Sequence, residues 1–240
     1  MKRILNLLVV ASLTASSLSA APLAVFHPND TILFQGDSIT DGGRQRKGND
    51  YNHTMGQDYG YIISAQVGAL YPERNLLFIN RGISGNTVLD LAGRWQNDTL
   101  NLKPNFLSIL IGVNDTLIGA GKGETIEQFE QTYDKLLADT LAAFPQIKIV
   151  LGQPFLLPVG KHKDTYAAEM VEIKKHQEVV AKLAAKYHLP EILYQEAYDK
   201  ASQTTPADHW CWDGVHPTYA GHGLMAQEWL KTVEAYWPNG

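Results

Sequence analysis

A serine near the start of the chain and an aspartate–histidine pair near its end are the residues best suited to do chemistry. Ser38 lies in the turn sequence Gly36-Asp-Ser-Ile-Thr40, directly after an apolar run, where the glycine allows a sharp turn that exposes the hydroxyl. His216 can take the proton of that hydroxyl, and Asp213, three residues earlier, can orient the imidazole and stabilise its protonated form. The combination predicts attack on a carbonyl through an acyl-serine intermediate.

An attacking serine also needs hydrogen-bond donors for the oxyanion that develops on its substrate. We expect three donors: the backbone N–H groups of Ser38 and Gly82, and the side-chain amide of Asn114. Loss of one such donor typically lowers turnover by about 10²–10³.

Two tryptophans precede the predicted acid. In an extended segment, Trp210 and Trp212 would point to the same side of the chain. Aromatic faces beside a catalytic site often stack on sugar rings, so Trp212 is a candidate substrate-binding residue. Alternatively, the two tryptophans pack beneath the loop that carries His216, a role that fits Trp210 better than Trp212.

Short apolar runs alternate with longer helical patterns along the chain. Runs rich in Ile, Leu, Val and Phe are typical of strands buried on both faces of a parallel sheet. The alternation predicts an α/β fold, a doubly wound five-stranded parallel sheet sandwiched by helices. The polar, glycine-containing segment 42–60 is predicted to be a long loop at the site. The five predicted strands are 31–34, 76–80, 106–111, 148–152 and 191–194.

This fold would bring the candidate residues together at one edge of the sheet. Ser38 follows the first predicted strand, Gly82 the second and Asn114 the third. Asp213 and His216 directly precede the last predicted helix. Ligands of doubly wound folds bind beyond the carboxyl ends of the strands, which is where these segments would meet.

The length fits one domain, and the first residues predict an export signal. Among its 240 residues, 45% are hydrophobic and 19% charged, and its net charge of −5 argues against nucleic acid as a partner. A basic start, an apolar stretch and small residues predict a signal peptide over residues 1–21, and a single domain over 22–240. We therefore expect a secreted or periplasmic protein with no integral membrane segment after signal removal.

Cysteine and histidine patterns predict neither a disulfide nor a metal site. Cys211 is the only cysteine, so an intramolecular disulfide is excluded. Metal-binding spacings such as His-Glu-x-x-His or paired cysteines are missing from the sequence, so no metal is expected. The expected mechanism needs no cofactor.

The four candidate segments resemble the GDSL/SGNH hydrolase superfamily, which is marked by Ser, Gly, Asn and His in four sequence blocks. Ser38 matches the first block, and Gly82, in Asn-Arg-Gly-Ile-Ser-Gly-Asn, matches the second. Asn114, in Ile-Gly-Val-Asn-Asp, and His216, in Asp-Gly-Val-His-Pro, match the last two. The order and the spread over almost the whole mature chain also fit. The resemblance implies the three-layer, flavodoxin-like fold of that superfamily and hydrolysis of an acyl ester.

A narrower resemblance links the chain to the acetylxylan esterases of this superfamily. It is carried by residues 36–44, 81–87, Arg94-Trp95, Trp212-Asp213 and 217–222. In that group the enzyme removes acetyl groups from xylan or xylo-oligosaccharides, so a secreted serine esterase acting on acetylated polysaccharides or oligosaccharides is implied. The group can carry a different residue where Gly42-Gly43 stands. Some relatives assemble, which leaves a homo-oligomer open.

Two other functions fit parts of the pattern. A lysophospholipase or thioesterase of the same superfamily would need an apolar channel for its acyl chain, but the segments around the site are polar. A catalytically inactive carbohydrate-binding protein on the same fold would bind polysaccharide without hydrolysing any ester.

Overall fold

A five-stranded sheet lies at the centre of the computed structural model, which describes residues 23–48, 50–119 and 124–240. All strands are parallel, and their spatial order is β2-β1-β3-β4-β5. This doubly wound order confirms the predicted fold class and places the ligand crevice where the winding reverses, between β1 and β3. The strands are β1 (Thr31–Gly36), β2 (Leu77–Asn80), β3 (Phe106–Leu110), β4 (Lys148–Gly152) and β5 (Glu191–Ile192).

Helices cover both faces of the sheet. Helices α3, α7 and α9 pack on one face, and α4, α5 and α6 pack on the other. Short 3₁₀ or π-helical turns occur at Pro72–Arg74, Leu100–Leu102, Asp115–Gly119 and Gly160–His162. The helices are α1 (Ser38–Asp41), α2 (Tyr51–Met55), α3 (Tyr59–Leu70), α4 (Val88–Asp98), α5 (Ile126–Ala143), α6 (Tyr166–Tyr187), α7 (Tyr194–Ala201), α8 (Ala207–Trp210) and α9 (Tyr219–Tyr236).

The alternation of side chains along β1 divides the core into two clusters. Ile32 and Phe34 belong to the cluster beneath α3 and α9, whereas Leu33 belongs to the cluster beneath α4 and α5. All three are fully buried, as expected for a central strand covered on both faces. Trp229 of α9 fills the first cluster, and its Nε1–H donates to Ser108 Oγ on β3 at 3.0 Å.

Four of the five predicted strands differ from the structure at one end, by one or two residues: β1 extends to Gly36, β2 begins at Leu77, β3 ends at Leu110 and β5 ends at Ile192. The predicted last strand ran to residue 194, but β5 ends at Ile192 and Tyr194 begins α7. Tyr194 is buried in either case, so the apolar pattern could not distinguish a strand residue from the first residue of a packed helix.

The segment 42–60 is not one long loop, because it contains α2 and the start of α3. Two aspartates begin these helices. Asp50 Oδ1 accepts the Asn52 N–H at 2.9 Å, and Asp58 Oδ1 accepts the Tyr61 N–H at 2.7 Å. Some of the polar residues that suggested a loop are therefore helix caps.

The predicted signal peptide, residues 1–21, lies outside the described residues. Among the residues that are described, no helix combines the length and apolar character needed to span a bilayer.

Candidate active site

Ser38, His216 and Asp213 form a continuous chain of hydrogen bonds, although Ser38 is 178 positions from His216. Ser38 Oγ lies 2.9 Å from His216 Nε2, and His216 Nδ1 lies 2.8 Å from Asp213 Oδ2. An ionised carboxylate can only accept, so Nδ1 carries a hydrogen and Nε2 of the neutral ring can accept the serine proton. The structure thus brings these three predicted residues together in the arrangement of nucleophile, base and orienting acid.

The Asp213 carboxylate also builds the turn that carries the histidine. Its Oδ1 accepts the backbone N–H groups of Val215 at 3.0 Å and His216 at 2.7 Å. Partial burial by itself raises the pKa of Asp213, but these two N–H donors and the His216 ring outweigh it and hold the pKa below the usual value. Asp213 is therefore ionised at neutral pH, as a partner for a protonated imidazole must be.

Cys211 supports the same turn from beneath. Its thiol is buried and donates to the His216 carbonyl oxygen at 3.0 Å, next to the isolated bridge between Cys211 and Pro217. Burial raises the pKa of the thiol to about 12. A thiol with this pKa is not a nucleophile at neutral pH, so the structure favours a packing role.

The nucleophile is the first residue of a short helix at the end of β1. A Cβ at Gly36 would collide with the Leu110 carbonyl oxygen, so this sharp turn requires glycine. Asp37 caps the helix, with its Oδ1 accepting the Ile39 N–H at 2.9 Å. The Ser38 N–H has no acceptor within the described part of the chain, which leaves it free to bind an oxyanion.

Asp37 and Asp115 lie next to candidate residues and accept hydrogen bonds from backbone N–H groups. Asp115 Oδ1 accepts the Val88 N–H at the start of α4, at 2.8 Å. Burial raises the pKa of both Asp37 and Asp115 to about 7. In each, the second carboxyl oxygen is buried and has no hydrogen-bond partner among the described residues.

The Gly82 N–H is not free to bind a substrate oxyanion. It donates to Asn80 Oδ1 at 2.8 Å, and the Asn80 amide group is fixed because its Nδ2 faces the carbonyl oxygens of Thr40 and Met55. A Cβ at Gly82 would collide with the backbone N of Asp41, so the glycine allows a close approach of two backbones. This geometry argues against the predicted donor role of Gly82.

A second glycine in the same block fits that role better. Gly85 is exposed, its φ is +82°, and its N–H has no acceptor in the described residues. The carbonyl oxygen of Asn86, the residue that follows Gly85, accepts from Asn114 Nδ2 at 3.1 Å, so the predicted amide donor lies against this loop. The sequence signal was the second glycine of Gly-Ile-Ser-Gly-Asn, which sequence reasoning passed over for the first.

The segment 81–86, which we call the oxyanion loop, is joined to α1, the helix that begins with Ser38. The contacts are made by charged side chains that the sequence did not single out. Arg44 Nε and an Arg46 guanidinium N–H both donate to the Gly82 carbonyl oxygen at 2.9 Å. Asp41 Oδ2, on α1, accepts the Ser84 N–H at 3.0 Å and the Ser84 hydroxyl at 2.7 Å. These hydrogen bonds hold the loop of Gly82 and Ser84 against the helix that begins with Ser38.

Trp212 covers one face of the catalytic imidazole. Its ring is stacked on His216 with centroids 5.5 Å apart and an angle of 19° between planes, yet the residue is 62% exposed. Trp210 is half-buried and its Nε1–H points to the Thr205 carbonyl oxygen at 3.4 Å. Trp212 therefore presents an aromatic surface to solvent beside the site, whereas Trp210 packs.

No three His, Cys, Asp or Glu side chains are grouped to hold a metal ion in residues 23–48, 50–119 and 124–240.

Comparison with known proteins identifies relatives along most of the chain. Residues 34–224 match the model of the GDSL-like Lipase/Acylhydrolase family. An acetylxylan esterase of Geobacillus stearothermophilus is 32% identical over 216 residues, which cover 87% of this chain and 95% of the relative. The match therefore spans both proteins almost completely.

Solved structures agree with the sequence matches. A protein of Parabacteroides merdae described as a GDSL-like lipase superposes with a TM-score of 0.80 at 34% identity, covering 87% of this chain and 97% of the other. Axe2, the Geobacillus acetylxylan esterase, superposes with a TM-score of 0.76 at 31% identity, covering 87% and 95%. Two further Axe2 structures are described as catalytic mutants, with a serine or an aspartate replaced by alanine. The chain accordingly belongs to the GDSL-like lipase/acylhydrolase family and is an esterase, with an acyl ester as its substrate.

Proposed function

We propose that the chain is a secreted or periplasmic carbohydrate O-acetylesterase that removes acetyl groups from xylan-type polysaccharides or their oligosaccharides. The hydrogen-bonded chain from Ser38 through His216 to Asp213 carries the proposal, because it supplies a nucleophile, a base and an orienting acid in contact. Similarity to an acetylxylan esterase over most of both chains supports acetylated xylan as the substrate. The signal-like residues 1–21 support export.

The first half of the reaction transfers the acetyl group to the enzyme. Ser38 Oγ attacks the acetyl carbonyl carbon while its proton passes to His216 Nε2. Asp213 stabilises the imidazolium that forms. When the tetrahedral intermediate collapses, the bond from carbon to the sugar oxygen breaks and His216 returns the proton to that oxygen. The products are the free sugar hydroxyl and acetyl-Ser38.

The second half restores the enzyme with water in place of the sugar. His216 removes a proton from the attacking water, and the new tetrahedral intermediate expels Ser38 Oγ, which takes the proton back. Acetate is released. In both intermediates, the oxyanion is bound by the N–H groups of Ser38 and Gly85 and by Asn114 Nδ2, and no cofactor is required.

The exposed ring of Trp212 supports a sugar rather than a lipid as the alcohol part of the ester. Its free surface lies beside His216, where the leaving alkoxide is protonated. Sugar rings stack on such surfaces through their C–H faces. A lysophospholipase or thioesterase would instead prefer long acyl chains, and p-nitrophenyl esters of increasing chain length separate the two.

The test is acetate release from acetylated xylo-oligosaccharides by the mature protein and by its Ser38→Ala variant. Release by the parent alone is expected. If the parent releases no acetate but cleaves p-nitrophenyl acetate in a Ser38-dependent way, the mechanism stands and the xylan proposal is wrong. A preference for acyl chains above about eight carbons would identify the lipid esterase. Polysaccharide binding without any ester hydrolysis would identify a binding protein.

A further inference from the structure

The segment that follows β4 lies directly against the backbone of the Asp213–His216 turn. The Leu157 N–H donates to the Gly214 carbonyl oxygen at 2.9 Å. At Gly160, a Cβ would lie 2.6 Å from Asp213 Cα, so only glycine permits this approach. The turn is thus supported by a neighbouring segment as well as by its own hydrogen bonds.

His162 is the side chain at this contact. Its side chain is only 8% exposed, and a Cβ at Gly214 would lie 2.9 Å from both Cβ and Cδ2 of His162. The imidazole therefore packs on the glycine between the catalytic acid and Val215, with no room for a larger residue there. Any movement of this ring changes the surface on which the turn rests.

Glu169, in the first turn of α6, sets the orientation of that ring. Glu169 Oε2 lies 2.8 Å from His162 Nδ1. The carboxylate accepts, so Nδ1 carries a hydrogen and the ring cannot rotate without breaking this bond. Sequence reasoning gave no sign of the pair, because neither residue lies in a family block.

The other ring nitrogen shows that His162 is more than a space-filling residue. His162 Nε2 is buried and has no hydrogen-bond partner among the residues that the structure describes. Burying a polar atom without a hydrogen-bond partner is unfavourable, and an apolar side chain of similar size would avoid this cost. Packing alone therefore does not explain a histidine at this position.

We propose that His162, oriented by Glu169, is a positioning residue for the catalytic pair Asp213 and His216. The inference rests on the proposed function, because it acts through that pair. The His162 ring fixes Gly214, and Gly214 joins the carboxylate to the segment that carries the imidazole. Since a misplacement of about 1 Å in a catalytic group can lower a rate about 10²-fold, a loose turn should slow attack by Ser38 without weakening binding.

The experiment measures the reaction of Ser38 with a fluorophosphonate, which forms a covalent bond to an activated serine and releases fluoride. The disruptive variants are Glu169→Ala and His162→Phe, and Glu169→Gln retains an acceptor oxygen. Glu172→Ala is the matched control, because Glu172 lies on the same helix in an exposed ion pair with Lys175. For each variant, the maximal inactivation rate, the half-saturating concentration and the melting temperature are measured.

The proposal predicts a loss of about 10–100-fold in the maximal inactivation rate of the two disruptive variants, at temperatures where both are folded. The half-saturating concentration should be unchanged. Glu169→Gln should retain most of the rate, and Glu172→Ala all of it. A role in stability alone would lower the melting temperature and leave the inactivation rate of the folded enzyme at the parent value, which would overturn the proposal.

A milder variant keeps the test decisive if the disruptive ones do not fold. Glu169→Asp withdraws the carboxylate by one methylene and should lower the inactivation rate several-fold, and a parent rate in this folded variant would also overturn the proposal. Failure of the proposed function looks different. In that case the parent enzyme does not react, or peptide mapping finds the label on a residue other than Ser38.

Discussion

Asp213 and Asp37 both lie beside the reacting groups, but the protein holds them in opposite ways. Asp213 accepts hydrogen bonds from two backbone N–H groups and from His216, and its pKa is lowered despite partial burial. Asp37 is fully buried, accepts one backbone N–H, and has a pKa raised to about 7. An aspartate that must stay charged beside an imidazolium needs several hydrogen-bond donors. An aspartate that caps a turn needs only the one N–H group that it accepts.

Two other parts of the site, the acid–base turn and the oxyanion loop, also differ in what holds them. The acid–base turn is short and is held by its own carboxylate and by the neighbouring segment that carries His162. The oxyanion loop is held by side chains from elsewhere: Asp41, Arg44 and Arg46 bind it to the nucleophile helix, and Asn80 takes up the N–H of Gly82. None of these contacts, and no other acceptor among the described residues, uses the N–H groups of Ser38 and Gly85, which are therefore free to bind an oxyanion.

The largest difference should appear when each aspartate is replaced by asparagine. In Asp213→Asn the His216 tautomer is no longer fixed, and kcat should fall about 10³–10⁴-fold. In Asp37→Asn an amide oxygen can still accept the Ile39 N–H, so kcat should fall less than about 10-fold. The kcat of both variants is measured by hydrolysis of p-nitrophenyl acetate. Equal losses of kcat would show that the two carboxyl groups do not differ in role.

A second prediction concerns the donors of the oxyanion loop. Asn114→Ala should lower kcat about 10²–10³-fold with little change in KM, because its amide binds charge that develops only in the transition state. A crystal structure of the phosphonate adduct on Ser38 should place the phosphoryl oxygen about 3 Å from the N–H of Gly85. If that oxygen instead faces Gly82, with the Asn80 side chain moved away, the assignment to Gly85 is wrong.

Most of the fold and the three residues of the catalytic chain could be predicted from the sequence. Ser38, Asp213 and His216 follow from local turn chemistry and from the edge to which a parallel sheet delivers its loops. Gly85 could not be separated from Gly82, because the choice depends on which N–H a distant asparagine occupies. His162 and Glu169 were missed for a related reason, since the contact between His162 and Gly214 joins segments about 50 positions apart.

Asp37 should also make the stability of the protein depend on pH. The pKa of Asp37 rises from 3.8 to about 7 on folding, so the folded state binds this proton more tightly. The stability that Asp37 contributes is then largest below about pH 4 and is lost as pH rises through about 7, by up to about 4 kcal/mol. Asp37→Asn should flatten this slope. Urea unfolding between pH 4 and 8 measures it, and parallel curves for parent and variant would contradict the raised pKa.

The smallest expected effect is that of Trp212. Trp212→Ala should raise KM for acetylated xylo-oligosaccharides about 3–10-fold more than KM for p-nitrophenyl acetate, in line with the energy of an aromatic stacking contact. Trp212→Phe, which keeps an aromatic face, is the control and should lie between the parent and Trp212→Ala. Equal changes for both substrates would limit the role of Trp212 to its contact with His216.

The central claim is that Ser38 carries the acetyl group between the two halves of the reaction. Mass spectrometry of the enzyme, quenched in acid during turnover of p-nitrophenyl acetate, tests it most directly. We expect one added acetyl group, located on the peptide that contains Ser38, and no added group in Ser38→Ala. Acetylation at another residue, or hydrolysis that persists in Ser38→Ala, would contradict it.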